Sequence, residues 1–139
     1  MGVICWRRKT KRVALAVFVS AIGASSASAQ TPCADVPKDE PFVMVTAPAA
    51  GAKVTSGFAV SGCSRTFEST VVWTLTVRGG KELSKGTARG GGVDGSGPLS
   101  FTVAAKVTKP TLAYLEVLEP SPSGGAPASR VIVPVVLTP

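Results

Sequence analysis

Short runs in which apolar and polar residues alternate follow one another from residue 42 onward. The clearest run is Thr70 to Arg78, where every second residue is apolar: Val71, Trp73, Leu75 and Val77. A period of two is typical of a β-strand with one buried face. Together with this run, six further segments have strand character: 42–46, 58–64, 82–89, 99–104, 112–119 and 130–137. The pattern predicts about seven short strands and no amphipathic helix.

Glycine and proline clusters separate these runs. Gly79-Gly80 is suited to a tight hairpin turn, and the polar run 82–89 that follows is predicted to return as an edge strand. Seven evenly spaced strands over 42–137 predict an all-β fold, an immunoglobulin-like antiparallel β-sandwich. Trp73 is predicted to lie in the core between its two sheets. The stretches 90–98 and 120–129 are interpreted as flexible loops and as candidate binding loops or inert connectors.

The first 29 residues have the order of a secretory signal peptide. A cationic block at 7–12 precedes an apolar run of about ten residues from Val13 to Ile22, and small residues lead to Ala27-Ser28-Ala29. Cleavage is predicted between Ala29 and Gln30, followed by an extended leader over 30–41. The apolar run is shorter than the roughly twenty residues of a membrane span; the alternative is an uncleaved anchor. We therefore expect an exported protein, periplasmic or extracellular.

The net charge is smaller once the expected signal peptide is excluded. The whole chain of 139 residues has a formal net charge of +7, but five basic residues belong to the signal peptide. Ten basic and eight acidic residues remain, a net charge of +2, and the basic ones are scattered singly along the chain. A nucleic-acid surface needs a basic stripe with stacking aromatics, so no nucleic-acid partner is expected.

Two cysteines, Cys33 and Cys63, remain after the expected cleavage. In an oxidising compartment an isolated pair favours a disulfide. The alternative is two unpaired thiols. A redox or metal pair is disfavoured because the spacing is not C-x-x-C and the chain contains no histidine.

Candidate catalytic groups are scarce. Without histidine, no serine or cysteine has the usual base. Glu116 and Glu119 are the closest acidic pair on a predicted strand, but their odd spacing places them on opposite faces, unlike a glycosidase pair. Both are interpreted as solvated surface residues. Asp94 in a glycine-rich stretch offers one carboxylate where calcium needs several oxygens. No catalytic, metal-binding or cofactor-binding residue is predicted.

The order of the motifs resembles a known family. Phe42-Val43-Met44-Val45 is followed by the spacing Gly62…Phe67-Glu68, and the chain closes with Val133-Pro134-Val135. This order resembles the immunoglobulin-like domain of bacterial spore germination, often found beside germination-type domains in bacterial envelope proteins, over residues 42–137. Gly62, Phe67 and Glu68 are the family-motif positions. Glu68 either forms a hydrogen bond with the backbone in a turn, the structural role that we favour, or faces a partner.

The resemblance implies an exported, non-catalytic module for binding or scaffolding at the cell envelope. Its expected partner is another envelope protein or a cell-wall component, with no cofactor and no stable membrane span after signal cleavage. Two alternatives remain open: a small secreted enzyme or inhibitor, and an accessory subunit of an envelope complex.

Overall fold

The computed structural model describes Cys33 and residues 39–139. The expected signal peptide, its cleavage site at Ala29 and Gln30, and most of the leader lie outside these residues. Within the described residues, eight strands form two sheets: β1 (Phe42–Ala47), β2 (Ala52–Thr55), β3 (Phe58–Arg65), β4 (Thr70–Val77), β5 (Glu82–Arg89), β6 (Gly97–Val103), β7 (Thr111–Leu118) and β8 (Arg130–Thr138). The all-β sandwich is therefore confirmed.

The smaller sheet has the order β1-β3-β6, and the larger one the order β2-β8-β7-β4-β5. All pairings are antiparallel except β2 with β8, which is parallel. Strand β2 is one strand more than the seven that the sequence pattern predicts. Its four residues end two positions before Gly57, and four residues are too few to establish an alternation.

The core lies between the two sheets. Val71, Trp73 and Leu75 of β4 face inward, as the alternation predicts, and are buried at 0, 7 and 0% exposure. The Trp73 ring stacks on Phe101 of the opposite sheet with centroids 5.3 Å apart. Opposite Trp73 on β5 lies Gly86, where a Cβ would stand 2.7 Å from the indole Cζ2. The indole thus occupies the space that a side chain at position 86 would need.

Strand β5 is the edge of the larger sheet, as predicted. The hairpin that joins β4 to β5 turns at Gly79 and Gly80, whose φ angles are +100° and +85°. Val77 N–H donates to the carbonyl of Lys81 at 3.0 Å and closes the turn. In the part of the chain that the structure describes, no helix has the length and apolar character to span a membrane.

Strand direction assigns the loops to two ends of the sandwich. The segments 66–69, 90–96 and 119–129 lie at one end, together with the start of β1. The hairpin 78–81 and the loop 104–110 lie at the opposite end. The first end carries the candidate site.

Candidate functional site

The turn between β3 and β4 exposes an aromatic side chain. Phe67 is 68% exposed, and Val93 of the β5–β6 loop is 56% exposed. Both line one shallow pocket of about 170 Å³, which is completed by Arg65, Thr66, Asp39 and Pro41. We call this region the Phe67 surface and define it by these six residues. Large apolar side chains exposed side by side are a common mark of an interaction site.

A buried carboxylate holds the backbone of this turn. Glu119 follows directly after β7, is only 5% exposed, and its Oε1 accepts a hydrogen bond from the Phe67 N–H at 2.6 Å. The Glu119 N–H donates to the Ser129 carbonyl at 3.0 Å. A buried carboxylate is costly unless it is hydrogen-bonded. The fold therefore uses a buried polar contact to fix the backbone at Phe67 while the aromatic ring projects outward.

The glycine segment 90–92 packs against the same turn. Thr66 N–H donates to the Gly91 carbonyl at 3.1 Å, and Gly90 N–H donates to the Ser69 carbonyl at 3.0 Å. A Cβ at Gly90 would collide with Ser64 Oγ, and one at Gly91 with the backbone of Gly97, Ser64 and Gly95. The first part of the predicted flexible loop 90–98 is therefore a close-packed segment, most tightly at Gly91, where backbone atoms occupy the space of a side chain.

Arg65 connects the turn with the β5–β6 loop. Its Nη2 donates to the Val93 carbonyl at 3.2 Å, whereas its Nε is buried and has no hydrogen-bond partner among the described residues. Arg65 lines the pocket beside Phe67. It offers a charged donor to a ligand that covers this surface, since arginine binds carboxylates well.

The two cysteines lie at the same end of the sandwich. Cys33 and Cys63 are joined by a disulfide with their Cα atoms 5.6 Å apart, as the sequence predicts. Both are buried, at 6 and 0% exposure. The Ser96 hydroxyl donates to the Cys33 carbonyl at 3.2 Å, so a hydrogen bond also links Cys33 to the β5–β6 loop.

The family-motif residues have separate roles. Gly62 lies in β3, where a Cβ would collide with the Met44 carbonyl of β1. Phe67 lies at the centre of the candidate site. Glu68 is exposed, and among the described residues its carboxylate takes part in no hydrogen bond or ion pair. The expectation that the Glu68 carboxylate accepts a backbone hydrogen bond is therefore wrong; the carboxylate that accepts one in this turn is that of Glu119, from the Phe67 N–H.

The interpretation of Glu119 as a solvated surface residue is also wrong. The sequence contained a signal for its burial, because Ala113, Leu115 and Val117 are the inward positions of β7 and Glu119 continues their parity. Glu116 does lie on the opposite face, as predicted, and forms an ion pair with Arg130. Its side chain is 29% exposed.

The two candidate loops differ in what they contribute. The loop 90–98 supplies Val93 to the Phe67 surface. From 120–129, Ser129 supports β1, because its Oγ accepts a hydrogen bond from the Val43 N–H at 2.8 Å. Among Cys33 and residues 39–139, no three His, Cys, Asp or Glu side chains gather in a group able to hold a metal ion.

Comparison with protein families confirms the resemblance seen in the sequence. The model of the immunoglobulin-like domain of bacterial spore germination matches residues 42–126. Gly62, Phe67 and Glu68 lie inside the matched region, and the closing Val133-Pro134-Val135 lies beyond it. The comparison with curated proteins finds no match.

Solved structures include a similar chain. The crystal structure of CopC from Methylosinus trichosporium OB3b is 17% identical, with a TM-score of 0.43. The aligned region covers 72% of this chain and 95% of that one.

Proposed function

The chain belongs to the family of immunoglobulin-like domains of bacterial spore germination, and from this premise we propose that it is an exported, non-catalytic module that binds another protein of the cell envelope through the Phe67 surface. The observation that carries the proposal is the contrast at Phe67. Phe67 is 68% exposed, while its backbone N–H donates to a buried carboxylate. A fixed, exposed aromatic residue is a typical anchor of a protein interface.

The neighbours of Phe67 indicate what the partner offers. Val93 extends the apolar contact area, and Arg65, which lines the same pocket, brings a charged donor. A partner with an apolar recess for Phe67 and a carboxylate beside it would complement these groups. Asp39, a member of this surface, is exposed, as are its charged neighbours Glu68 and Asp94, and exposed charges are usual at the rim of an interface.

Export is supported by the buried disulfide, because such bonds form and persist in oxidising compartments. It is tested by the intact mass of the protein recovered from the cell envelope or the medium. We expect a chain that begins at Gln30 and carries no free thiol. A chain that begins at Met1 and stays in the cytoplasm would contradict export without touching the binding proposal.

The binding proposal is tested by site-specific photo-cross-linking in the native cell. A benzophenone amino acid replaces Glu68, which is exposed and adjacent to Phe67, so that Phe67 itself is retained. We expect one protein adduct, with no adduct when the same group replaces Lys109 at the opposite end. Phe67→Ala should lower the adduct yield at least about tenfold, because a truncated anchor typically costs 2 kcal/mol or more.

Leu112→Ala is the matched control, since Leu112 is another exposed large apolar residue, 40% exposed, on a different face. Its replacement should leave the adduct at position 68 unchanged. Thermal unfolding should show that neither variant changes stability by more than about 0.5 kcal/mol. Adducts with cell-wall polymer alone, or a yield insensitive to Phe67→Ala, would refute a protein partner at this surface.

A further inference from the structure

The outward face of the larger sheet is more apolar than a solvated face needs to be. In an antiparallel sheet with one buried face, the outer positions are normally polar. Here six of the nine outward positions of β7 and β8 carry apolar or aromatic side chains: Leu112, Tyr114, Leu118, Ile132, Pro134 and Val136. We call this region, together with the outward residues of β2, β4 and β5, the outer sheet face.

Strand register gathers these residues into one patch. Tyr114 lies opposite Pro134, and Leu112 opposite Val136. Leu112 and Ile132 are 40 and 47% exposed. A groove of about 320 Å³ runs between Tyr114 and Ile132 on one side and the hairpin turn at Arg78–Gly80 on the other. The patch is therefore continuous across two strands and has a concave border.

The charges on this face are unbalanced. Its carboxylates are those of Glu82 and Glu116, and both already form ion pairs, with Lys85 at 3.2 Å and with Arg130. Three further cations on the face have no ion-pair partner among the described residues: Lys53, Arg78 and Arg89. Five cations against two carboxylates leave the outer sheet face with an excess of three positive charges.

We propose that the outer sheet face is a second docking surface, for a protein partner whose apolar patch is bordered by carboxylates. The apolar patch supplies the contact area, and Lys53 and Arg78 on its two sides select acidic groups. Self-docking of two identical faces is opposed because both carry the same excess charge. With the Phe67 surface at the end of the sandwich, the module then has two separate contacts and joins two partners.

A membrane surface is a poorer match for the same features. Binding to anionic lipid needs apolar side chains that penetrate well beyond the polar groups around them. Here Tyr114, Pro134 and Val136 are half-buried, and Tyr114 lies opposite Thr76 of β4. Only Leu112 and Ile132 of these strands are exposed large apolar residues.

The test places the benzophenone amino acid at Ile132 of the full chain in its native cell. We expect an adduct with one protein, joined through a peptide that contains aspartate or glutamate near an apolar residue. The double variant Lys53→Glu and Arg78→Glu should lower the yield at least about tenfold. The matched variant Lys106→Glu and Lys109→Glu, with the same charge change in the loop 104–110, should leave it unchanged.

Three cross-linking results would overturn the proposal: an adduct with a second copy of this chain, an adduct whose yield does not depend on the charge at Lys53 and Arg78, and no adduct at Ile132. Co-sedimentation of the purified chain with phosphatidylglycerol vesicles, if the double variant abolishes it, would overturn it too. Phe67→Ala should not change the yield at Ile132. Failure at position 132 with success at position 68 would therefore remove only this second surface.

Discussion

Two glycine-rich turns stand at opposite ends of the sandwich, and their glycines are required for different reasons. In the hairpin, a Cβ added at Gly79 or Gly80 would meet nothing within 4 Å, but both residues have positive φ. In the segment 90–92, no glycine has a positive φ, yet every added Cβ would collide with a neighbour. The hairpin needs glycine for its backbone conformation, and the second turn needs it for space.

The difference matters for function because the candidate site lies next to the second turn, the segment 90–92. The segment 90–92 lies against Ser64, Thr66 and Ser69, next to the exposed Phe67. A close-packed base limits the conformations of the side chains mounted on it, and an interface anchor that is already ordered loses less entropy on binding. The two ends should consequently respond very differently to similar changes.

The largest effect is expected from removal of the disulfide, which ties Cys33 to the end of the sandwich that contains the segment 90–92. It closes a loop with a sequence separation of 30, and loss of such a cross-link removes about 3–4 kcal/mol through the entropy of the unfolded chain. The double variant Cys33→Ala and Cys63→Ala should lower the free energy of unfolding in urea by that amount. A loss under about 1 kcal/mol would mean that this end of the sandwich is stable without its disulfide.

Gly91→Ala tests the packing itself and should cost about 3 kcal/mol, because the atoms in the way belong to the backbone of three neighbouring residues and cannot rotate aside. The change is measured by urea unfolding of the oxidised protein. The photo-adduct at position 68 should fall in parallel, since the Thr66 N–H donates to the Gly91 carbonyl. Unchanged stability would show that this segment yields readily and would remove the contrast between the two turns.

Glu119→Ala should cost about 2 kcal/mol, because it leaves the Phe67 N–H without its acceptor and opens space beneath the turn. Glu119→Gln, which keeps an acceptor oxygen, should cost less. The matched control is Glu116→Ala, which breaks only the half-exposed ion pair with Arg130 and should change stability by under about 0.5 kcal/mol. Equal losses at the two positions would contradict the role assigned to the buried carboxylate.

Glu119 also shows how far sequence reasoning reaches. Alternation placed β4 within one residue and Trp73 in the core, because periodicity is a local property of the chain. The alternation of β7 likewise continues to position 119, but a charged residue at an inward position is ordinarily taken to mark the end of the buried run. Its partner, the Phe67 N–H, is 52 residues away in sequence, and no local pattern contains it.

The other features that the sequence did not predict have the same cause. Lys53, Arg78 and Arg89 are single charges in the sequence, and only the strand register brings them to one sheet face. Likewise, the run Gly90 to Gly92 has the composition of a flexible linker. Its close packing depends on Ser64 and Ser69, which are contributed by another part of the chain.

The smallest effect is expected at the hairpin. Gly80→Ala places a side chain at φ +85° in open space; the left-handed conformation costs about 1–2 kcal/mol, and the stiffer unfolded chain returns part of this. We expect a net loss of about 1 kcal/mol in urea unfolding and no change in the adduct at position 68. Gly125→Ala is the control, because that glycine has an ordinary φ and no neighbour nearer than 3.7 Å, so its replacement should be neutral. A Gly80→Ala loss as large as that of Gly91→Ala would contradict the expected ranking, because a strained φ in open space would then cost as much as a collision with the backbone of three neighbouring residues.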